Sequence, residues 1–309
     1  MESTPPVLND LGEDEIVRRL TARLHLDPHQ VTVGAGDDCA ILPGPVDPAA
    51  TSLLFKTDAL VEGIHFTWDM GAERIGRKAV CRVLSDFAAM GGLPQALLVT
   101  VGAPGTLPVT LLEGAYEGIN GAGREFHCSV AGGELTATNG PAWFSVAAIG
   151  QVPAHAVAKR SDGRAGDLLF VTGWLGGSFQ SGRHLDFTPR LAEGHWLIEH
   201  FPIEAMMDLS DGLGADLPRL ATACGTSYVF HEADLPLHDG CDISQALNDG
   251  EDYELLFAIG SEHTNLLEAS WAARFPRLPL TRIGQLTKPG LSKDVISYEP
   301  RGYHHFRKC

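Results

Sequence analysis

The sequence predicts a mixed α/β (α+β) protein built from two domains. Helix-like and strand-like segments alternate along the chain, as they do in architectures that pack helices on sheets. The length of 309 residues exceeds what one compact core usually holds, so two domains of roughly 150 residues each are expected. The apolar and charged fractions, 44% and 20%, are those of ordinary globular proteins, which excludes a disordered or fibrous chain.

Each predicted element depends on a local pattern. Residues 13–24 place apolar side chains at helical spacing, and residues 73–90 do so over a longer stretch that ends at Gly91 and Gly92. Strands are predicted where short apolar runs are bounded by Gly, Pro or Asp. These runs are residues 52–56, 96–102, 142–151, 167–172 and 253–258.

The segment from Val152 to Asp167 lies between two of the predicted strands. Pro, Arg, Ser, Gly and Asp follow one another closely there, which is typical of a connection rather than of a helix or strand. We interpret it as the link between the two domains. The predicted domains are therefore residues 1–151 and 152–309.

The charge of the chain limits its partners. A formal net charge of −16 without clusters of Lys and Arg excludes a nucleic-acid surface. No run approaches the roughly 20 apolar residues that span a bilayer, and the N-terminal residues resemble no export signal, so we expect a cytoplasmic protein without a membrane partner. If such an acidic protein binds phosphates, divalent cations are the simplest means of neutralising both.

Five acidic motifs place carboxylates beside small residues, where the backbone turns tightly and a metal ion can approach. They are Gly36–Asp38, Lys56–Asp58, Ser85–Asp86, Asp208–Gly212 and Gly250–Glu254. Each motif alone is more often a turn or a helix cap than a metal site. The chain has no GxxxxGK[ST] loop, so nucleotide phosphates would be held through metal ions on scattered aspartates.

In their order along the chain, these motifs and their neighbours resemble those of the thiamine-monophosphate kinase family. That family belongs to the superfamily of aminoimidazole ribonucleotide synthetase and selenophosphate synthetase. The matching strings include GAGDDCAIL (34–42), KTDALVEGIHF (56–66), LSDFAAMGG (84–92), GGELT (132–136), KRSDGRAGDLLFVTGWLGG (159–177), MDLSDGLGADL (207–217), GEDYELLF (250–257) and GYHHF (302–306). VEGIHF, SDFAAMGG and GEDYELLF are specific to the kinase branch.

The resemblance implies an aminoimidazole ribonucleotide synthetase-like fold, a homodimer whose N-terminal sheets pair, and an active site in the cleft between the domains. It implies that ATP and several Mg²⁺ ions convert thiamine monophosphate to the diphosphate. The implied metal ligands are Asp38, Thr57, Asp58, Asp86, Asp208 and Asp211, with Glu134 as a further candidate. The implied ATP contacts are Gly132, Gly133, Glu134, Arg160 and Ser210. The implied contacts with thiamine monophosphate are His65 and Glu251.

The chemistry of the acceptor fits such a site. A phosphate acceptor is already anionic and needs no general base, so catalysis reduces to positioning and charge neutralisation. Alternatives remain for single residues: Asp37 caps a turn instead of binding a metal ion, His65 is a hydrogen-bonded core histidine, or Glu251 caps the strand that follows it.

Several positions depart from the family pattern. Lys56 stands where the family has Ser or Thr, and it either substitutes for a magnesium ion or points away. Val83 stands in place of Asn, and Glu134 in place of the Asp of a GGDT motif. Pro300 stands where a Trp stacks on the thiamine ring, and His304 replaces an acidic residue.

Two alternative functions follow from these departures. Pro300 favours a related ATP-dependent enzyme with another small phosphorylated acceptor, unless Trp68, Tyr303 or Phe306 supplies the aromatic face. Lys56, Val83 and Glu134 favour a catalytically weakened nucleotide-binding paralogue. The terminal Cys309 lacks the surrounding pattern of hydrogenase maturation proteins, and we interpret its position as coincidence.

Overall fold

The computed structural model describes residues 15, 18, 29, 31–33, 36–43, 50–290 and 302–303. Two five-stranded sheets follow one another along this part of the chain. The predicted mixed α/β class is confirmed. Apart from Glu15 and Arg18, the helix predicted at 13–24 lies outside the described residues, and so do Pro300, His304, Phe306 and Cys309.

The first sheet is formed by residues 40–153. Its strands are β1 (Ala40–Pro43), β2 (Thr51–Val61), β3 (Leu93–Ala103), β4 (Ser129–Ala137) and β5 (Trp143–Pro153). They lie in the order β1-β2-β5-β3-β4, and all neighbours are antiparallel except the parallel pair β3 and β4. Two helices accompany the sheet, α1 (Ala72–Ala89) and α2 (Val109–Glu125), with a 3₁₀ turn at Trp68–Met70 before α1.

The second sheet is formed by residues 168–287. Its strands are β6 (Leu168–Thr172), β7 (Ile203–Asp208), β8 (Ser227–Phe230), β9 (Leu255–Ile259) and β10 (Leu280–Thr287). They lie in the order β7-β9-β6-β10-β8, and every neighbouring pair is antiparallel. The helices here are α3 (Ser178–Ser181), α4 (Arg183–Asp186), α5 (Leu191–His200), α6 (Leu213–Ala223), α7 (Ile243–Asn248) and α8 (Thr264–Arg274), with 3₁₀ turns at Glu232–Asp234 and Ser261–His263.

Helix α1 lies between the two sheets. It packs against β2 and β5 of the first sheet and against α5 and β7 of the second. For this reason 13 of its 18 residues are buried, including polar ones such as Lys78, Ser85 and Asp86. The crossing with α2 is close, because a Cβ on Gly76 would lie 1.8 Å from the Ala115 carbonyl oxygen. Small residues at this crossing therefore fix the position of α1.

The two sheets differ in how their faces are covered. In β6, Phe170 faces a core shared with α1, whereas Leu169 and Val171 face a second core on the opposite side, so both faces of the second sheet are buried. Helix α1 packs against one face of the first sheet. Phe55 and Leu98, which project from its other face, remain 50% and 51% exposed.

The predicted elements agree with the structure where hydrophobic patterns are strong. The five predicted strands correspond to β2, β3, β5, β6 and β9, and the helix predicted at 73–90 is α1. Strands β1, β4, β7, β8 and β10 were not predicted. β4 illustrates the reason: its sequence SVAGGELTA contains two glycines, and as an exposed edge strand it carries no hydrophobic alternation.

No helix among the described residues is both long enough and apolar enough to cross a lipid bilayer.

Candidate active site

Three carboxylates meet where the first sheet, α1 and the second sheet come together. Asp38 precedes β1, Asp86 lies in the last turn of α1, and Asp208 ends β7. One oxygen from each lies within 4.8 Å of the other two. The residues are only 1%, 5% and 4% exposed. We call these three residues the carboxylate triad.

Two members of the triad are paired with cations. Arg160 donates to both carboxylate oxygens of Asp38, through Nε at 2.8 Å and Nη2 at 2.6 Å. Lys56, on β2, donates from Nζ to Oδ1 of Asp86 at 2.7 Å. Burial disfavours the charged amine of Lys56, but the carboxylates of Asp86 and Asp58 outweigh it and raise its pKa. Both cations therefore remain charged.

Asp208 has no cation of its own among the described residues. It accepts a hydrogen bond of 2.6 Å from the Ser85 hydroxyl. Burial and the nearby charge of Asp38 raise the pKa of Asp208 to about 7, against the effect of that hydrogen bond. Burial also raises the pKa of Asp86, although Lys56 opposes the shift. When all three carboxyl groups are ionised, the triad has one negative charge more than Lys56 and Arg160 neutralise, and a further cation would stabilise that ionised state.

The position of Asp86 in α1 also favours a cation at the triad. The last carbonyl groups of a helix carry partial negative charge, which favours cations and disfavours carboxylates in the final turn. Asp86 is in the final turn of α1. A cation at the triad would therefore interact favourably both with the carboxylates and with the end of the helix.

A cavity of about 850 Å³ opens beside the triad. Predicted site residues that line it are Lys56, Asp58, Asp86, Arg160, Asp208, Ser210 and Asp211. Residues that were not predicted also line it, among them Arg82, Tyr253, Asp216 and Arg219. The volume and the charged residues of the wall suit a phosphorylated small molecule.

Asp211 lies at the rim of the cavity, apart from the triad. Its carboxylate pairs with Arg219, which also contacts Asp216 at 3.0 Å. The backbone N–H of Asp211 donates to Asp216 at 2.9 Å. Burial and the charge of Asp211 raise the pKa of Asp216 to about 8. The start of α6 therefore holds Asp211 in a fixed position facing the cavity.

A second charged centre surrounds Glu251. Nζ of Lys78, which is wholly buried on α1, lies 2.8 Å from Oε1 and 2.9 Å from Oε2 of Glu251. Nδ1 of His184 lies 3.1 Å from Oε2 of Glu251 and 2.7 Å from Nζ of Lys78. Although burial opposes it, contact with His184 and Lys78 lowers the pKa of Glu251 to about 2. Glu251 is therefore ionised and fully paired.

The loop that carries Glu251 has an unusual backbone. Glu251 and Tyr253 have φ values of 55° and 52°, in the left-handed region that non-glycine residues rarely adopt. Two backbone hydrogen bonds of 2.8 Å hold the loop, from Glu251 to the Ser210 carbonyl and from Tyr253 to the Leu209 carbonyl. The loop is thus tied to the segment that follows Asp208. This conformation also explains why the predicted strand at 253–258 begins only at Leu255.

His65 belongs to the same centre as Glu251. Its Nδ1 accepts a hydrogen bond of 3.0 Å from the Val61 N–H, and its carbonyl oxygen accepts one of 2.9 Å from Lys78. Lys78 thus joins the two residues predicted to contact thiamine monophosphate. Among the described residues that line the cavity, neither His65 nor Glu251 is present, whereas Tyr253 is.

Four predicted residues lie elsewhere on the first sheet. Thr57 alternates with Lys56 and Asp58 along β2, so its side chain is on the opposite face, where its hydroxyl lies 3.2 Å from that of Ser145. Gly132, Gly133 and Glu134 lie on the exposed edge strand β4. Within the described residues, the structure does not bring these four together with the triad.

Three further acidic residues have structural partners. Asp37 accepts hydrogen bonds from the backbone N–H groups of Asp38, at 2.9 Å, and Arg160, at 3.2 Å, which favours the turn-capping alternative. Burial and the charge of Asp38 raise the pKa of Asp37 to about 6. Asp252 accepts from the Gly176 N–H at 3.1 Å, and Glu254 pairs with Arg190.

Sequence reasoning missed a polar stripe on α1. Lys78, Arg82 and Asp86 are spaced four residues apart, so they lie on one side of the helix. Nη1 of Arg82 donates to the Ala59 carbonyl of β2 at 2.9 Å. This spacing is present in the sequence, but the apolar residues at 75, 79, 83 and 87 form a neighbouring stripe that dominates the hydrophobic pattern.

Comparison with known proteins identifies the fold and the family. Residues 36–152 match the family model described as AIR synthase related protein, N-terminal domain. The chain is 33% identical to the thiamine-monophosphate kinase of Rhodopirellula baltica, over 89% of this chain and 92% of that one. It is 29% identical to the thiamine-monophosphate kinase of Bacillus subtilis, over 96% of this chain and 100% of that one.

A solved structure is also similar over nearly the whole length. It is that of AaThiL complexed with AMPPCP and TMP, which is 29% identical, with a TM-score of 0.82 over 98% of this chain and 100% of that one. The collinear motifs, the fold and the identity over both lengths agree. The chain therefore belongs to the thiamine-monophosphate kinase family.

Proposed function

We propose that this protein transfers the γ-phosphoryl group of ATP to thiamine monophosphate, directly and in line, and so forms thiamine diphosphate. The observation that carries the proposal is the buried carboxylate triad at the wall of a cavity of about 850 Å³. The proposal is further supported by relatives of this name and by a solved relative that was complexed with AMPPCP and TMP.

The triad is suited to Mg²⁺. Carboxylate oxygens are the ligands that this hard cation prefers, and the residual negative charge at Asp208 favours a cation there. We therefore propose that Asp38, Asp86 and Asp208 hold Mg²⁺, with Asp58 and Asp211 facing it from the cavity wall. The ion would neutralise phosphate charge during transfer.

The protein's own side chains contribute the rest of the proposed mechanism. Arg160 and Ser210 face the cavity and are assigned to the nucleotide. No general base is needed, because the acceptor oxygen belongs to an ionised phosphate. The described chain then has to hold two anions in line and offset their repulsion, which reaches several kcal/mol per pair of charges at about 4 Å.

Lys56 bears on the number of metal ions. Its ammonium group lies 2.7 Å from Asp86 and faces the cavity rather than pointing away. We propose that it replaces one Mg²⁺ ion of the several that the resemblance implies. A fixed cation at this place would lower the charge that further ions must neutralise.

The residues far from the triad bear on the predicted dimer. Thr57 and the exposed Phe55 and Leu98 share the uncovered face of the first sheet, and Gly132–Glu134 lie on its edge strand. We propose that a second copy of this chain covers that face, because exposed apolar side chains on a sheet favour an interface. The roles of Thr57, Gly132, Gly133 and Glu134, the domain limits 1–151 and 152–309, and a cytoplasmic location stay predictions.

A turnover assay tests the function. Purified protein is incubated with ATP, Mg²⁺ and thiamine monophosphate, and both ADP and thiamine diphosphate are measured. Stoichiometric formation of the two products is expected. ADP release with a different phosphorylated acceptor, and none with thiamine monophosphate, would instead favour a related ATP-dependent enzyme. ATP binding without turnover of any phosphorylated acceptor would favour the weakened paralogue.

A further inference from the structure

Arg82 occupies the middle of the polar stripe on α1. One turn before it, Lys78 contacts Glu251, and one turn after it, Asp86 belongs to the triad. Arg82 itself lines the cavity, and its Nη1 is anchored on the Ala59 carbonyl at 2.9 Å. The guanidinium is therefore located between the triad and the Glu251 centre.

Among the described residues, Arg82 differs from the other cations that line the cavity in forming no salt bridge. Those cations form salt bridges in four groups: Arg18 with Glu15, Lys56 with Asp86, Arg160 with Asp38, and Arg219 with Asp211 and Asp216. Within the part of the chain that the structure describes, Arg82 forms no salt bridge, and its buried Nε has no hydrogen-bond partner. A buried donor left without an acceptor costs about 1–3 kcal/mol, and more for a charged group.

The surroundings keep this guanidinium charged. Burial opposes the charge, but Tyr253, Asp58 and Glu251 outweigh it and raise the pKa of Arg82. Asp86 forms its salt bridge with Lys56 and not with Arg82. The N–H groups of a guanidinium match the oxygens of a phosphate and can form two parallel bonds with it. The structure thus holds an anchored cation without a salt-bridge partner among the described residues, at the wall of a cavity lined by charged side chains.

We propose that Arg82 binds a phosphate group of the substrate and so sets the position of the acceptor between the triad and Glu251. The assignment of Arg82 to the acceptor phosphate rests on the proposed function. If thiamine monophosphate is the acceptor, its phosphate must approach the triad from the side of Glu251. Binding of that phosphate to the guanidinium would give Arg82 the anionic partner that it lacks among the described residues, and would reduce the repulsion between acceptor and nucleotide.

Ligand binding tests the proposal without turnover. Calorimetry would compare thiamine monophosphate, unphosphorylated thiamine and AMPPCP with Mg²⁺ on the wild-type protein, Arg82→Gln and Arg82→Lys. The matched control is Arg124→Gln, at an exposed arginine of α2. Arg82→Gln should bind thiamine monophosphate roughly 10- to 100-fold more weakly while thiamine and AMPPCP bind as before. Arg82→Lys should recover part of the loss, and Arg124→Gln should bind like the wild type.

Three results would overturn the proposal. Equal losses for thiamine monophosphate and thiamine in folded Arg82→Gln would mean that Arg82 only supports the cavity wall. A loss confined to AMPPCP would assign the guanidinium to the nucleotide instead of the acceptor. Unchanged affinity for all three ligands would mean that Arg82 binds no phosphate.

Inorganic phosphate separates this inference from the proposed function. If the wild-type protein forms no thiamine diphosphate, the proposed function fails, but Arg82 can still be tested with phosphate alone. Weaker phosphate binding by Arg82→Gln, with no change in Arg124→Gln, would then support a phosphate-binding arginine. Equal phosphate binding by all variants would refute it.

Discussion

The carboxylate triad and the Glu251 centre both contain carboxylates shielded from solvent, but their surroundings shift the carboxyl pKa values in opposite directions. At the triad, burial and like charges raise the pKa of Asp208 to about 7. At the second centre, His184 and Lys78 lower the pKa of Glu251 to about 2. One helix, α1, contributes to both, with Asp86 at one end of its polar stripe and Lys78 at the other.

This difference separates a site that requires a cation from one that already contains it. The triad has more negative charge than Lys56 and Arg160 neutralise, so a divalent ion would stabilise it. The charge of Glu251 is already paired with Lys78 and His184, so its main role is to hold its own loop and these two partners in place. Substitutions at the triad should therefore mainly affect the binding of metal. Substitutions at the Glu251 centre should mainly affect the stability of the fold.

The largest effect is expected on stability at the Glu251 centre. Glu251→Gln would leave the wholly buried Lys78 without its carboxylate, which should cost about 3–5 kcal/mol of the free energy of unfolding. Urea denaturation measures it. The control is Glu125→Gln, which removes the half-exposed partner of Arg77 and should cost less than about 1 kcal/mol. Similar losses for both would show that the Glu251 centre is no more than a surface pair.

Metal binding should be affected most at the triad. Asp208→Asn keeps the shape and an acceptor for Ser85 but removes the carboxylate charge, so Mn²⁺ affinity and Mg²⁺-dependent turnover should fall by roughly a hundredfold or more. Paramagnetic resonance with Mn²⁺ measures the affinity, and Asp69→Asn, at an exposed aspartate, is the control. Unchanged Mn²⁺ affinity would remove Asp208 from the metal site.

Asp86→Asn should also abolish Mg²⁺-dependent turnover, for a partly different reason. It removes a proposed ligand and also leaves the partly buried Lys56 without its ion-pair partner, so a loss of stability should accompany the loss of turnover. Thermal unfolding beside the turnover assay measures both. Normal turnover in this variant would contradict the proposed role of the triad.

The pH dependence of the metal-free protein gives a smaller effect. In the folded protein the pKa of Asp208 is raised to about 7, above the pKa of the same group in the unfolded chain. At pH values between these two pKa values, the folded state therefore binds more protons than the unfolded state. In the metal-free protein, Asp208 should therefore contribute a gain of about 1–2 kcal/mol of stability as pH falls from 7.5 to 5.5, in addition to gains from other carboxyl groups with raised pKa values such as Asp216. Denaturation in a chelator measures the gain. Asp208→Asn should reduce it, and an identical gain in that variant would assign the dependence to other groups.

The smallest predicted change has the opposite sign. Lys56→Ser removes the cation from Asp86, so Mn²⁺ should bind about tenfold more tightly or with one additional ion, because a unit charge a few ångströms away repels it. A Mn²⁺ titration gives both affinity and stoichiometry. Weaker binding in Lys56→Ser would mean that Lys56 orders the triad instead of replacing an ion.

The sequence was sufficient to predict the motif residues at the ends of elements. The motifs of Asp38, Asp86 and Asp208 were visible beside glycines or serines, but their prediction as metal ligands came from the family resemblance, because each motif alone is more often a turn or a helix cap. The family resemblance supplied the fold, since the two sheets pair strands that are far apart in the chain. Weak strands such as β4 carried no hydrophobic pattern from which they could be predicted.

The pairing of charges could not be predicted from the sequence. Lys56 could face Asp86 or solvent, and only the packing of β2 against α1 decides between these. The Lys78–His184–Glu251 contacts join residues more than 60 positions apart, and no local signal links them. Arg82 could be recognised only once α1 was seen to be buried between the two sheets.

The burial of α1 also fixes a length within the active site. Lys78 and Asp86 are eight residues apart on one continuous helix, and at about 1.5 Å per residue their Cα atoms are separated by roughly 12 Å. The span between the Glu251 centre and the triad is therefore set by the geometry of one helix, not by the flexibility of a loop. Inserting or deleting a single residue between these two positions would rotate one end by about 100° relative to the other, so evolution can tune the charges of this site more freely than its dimensions.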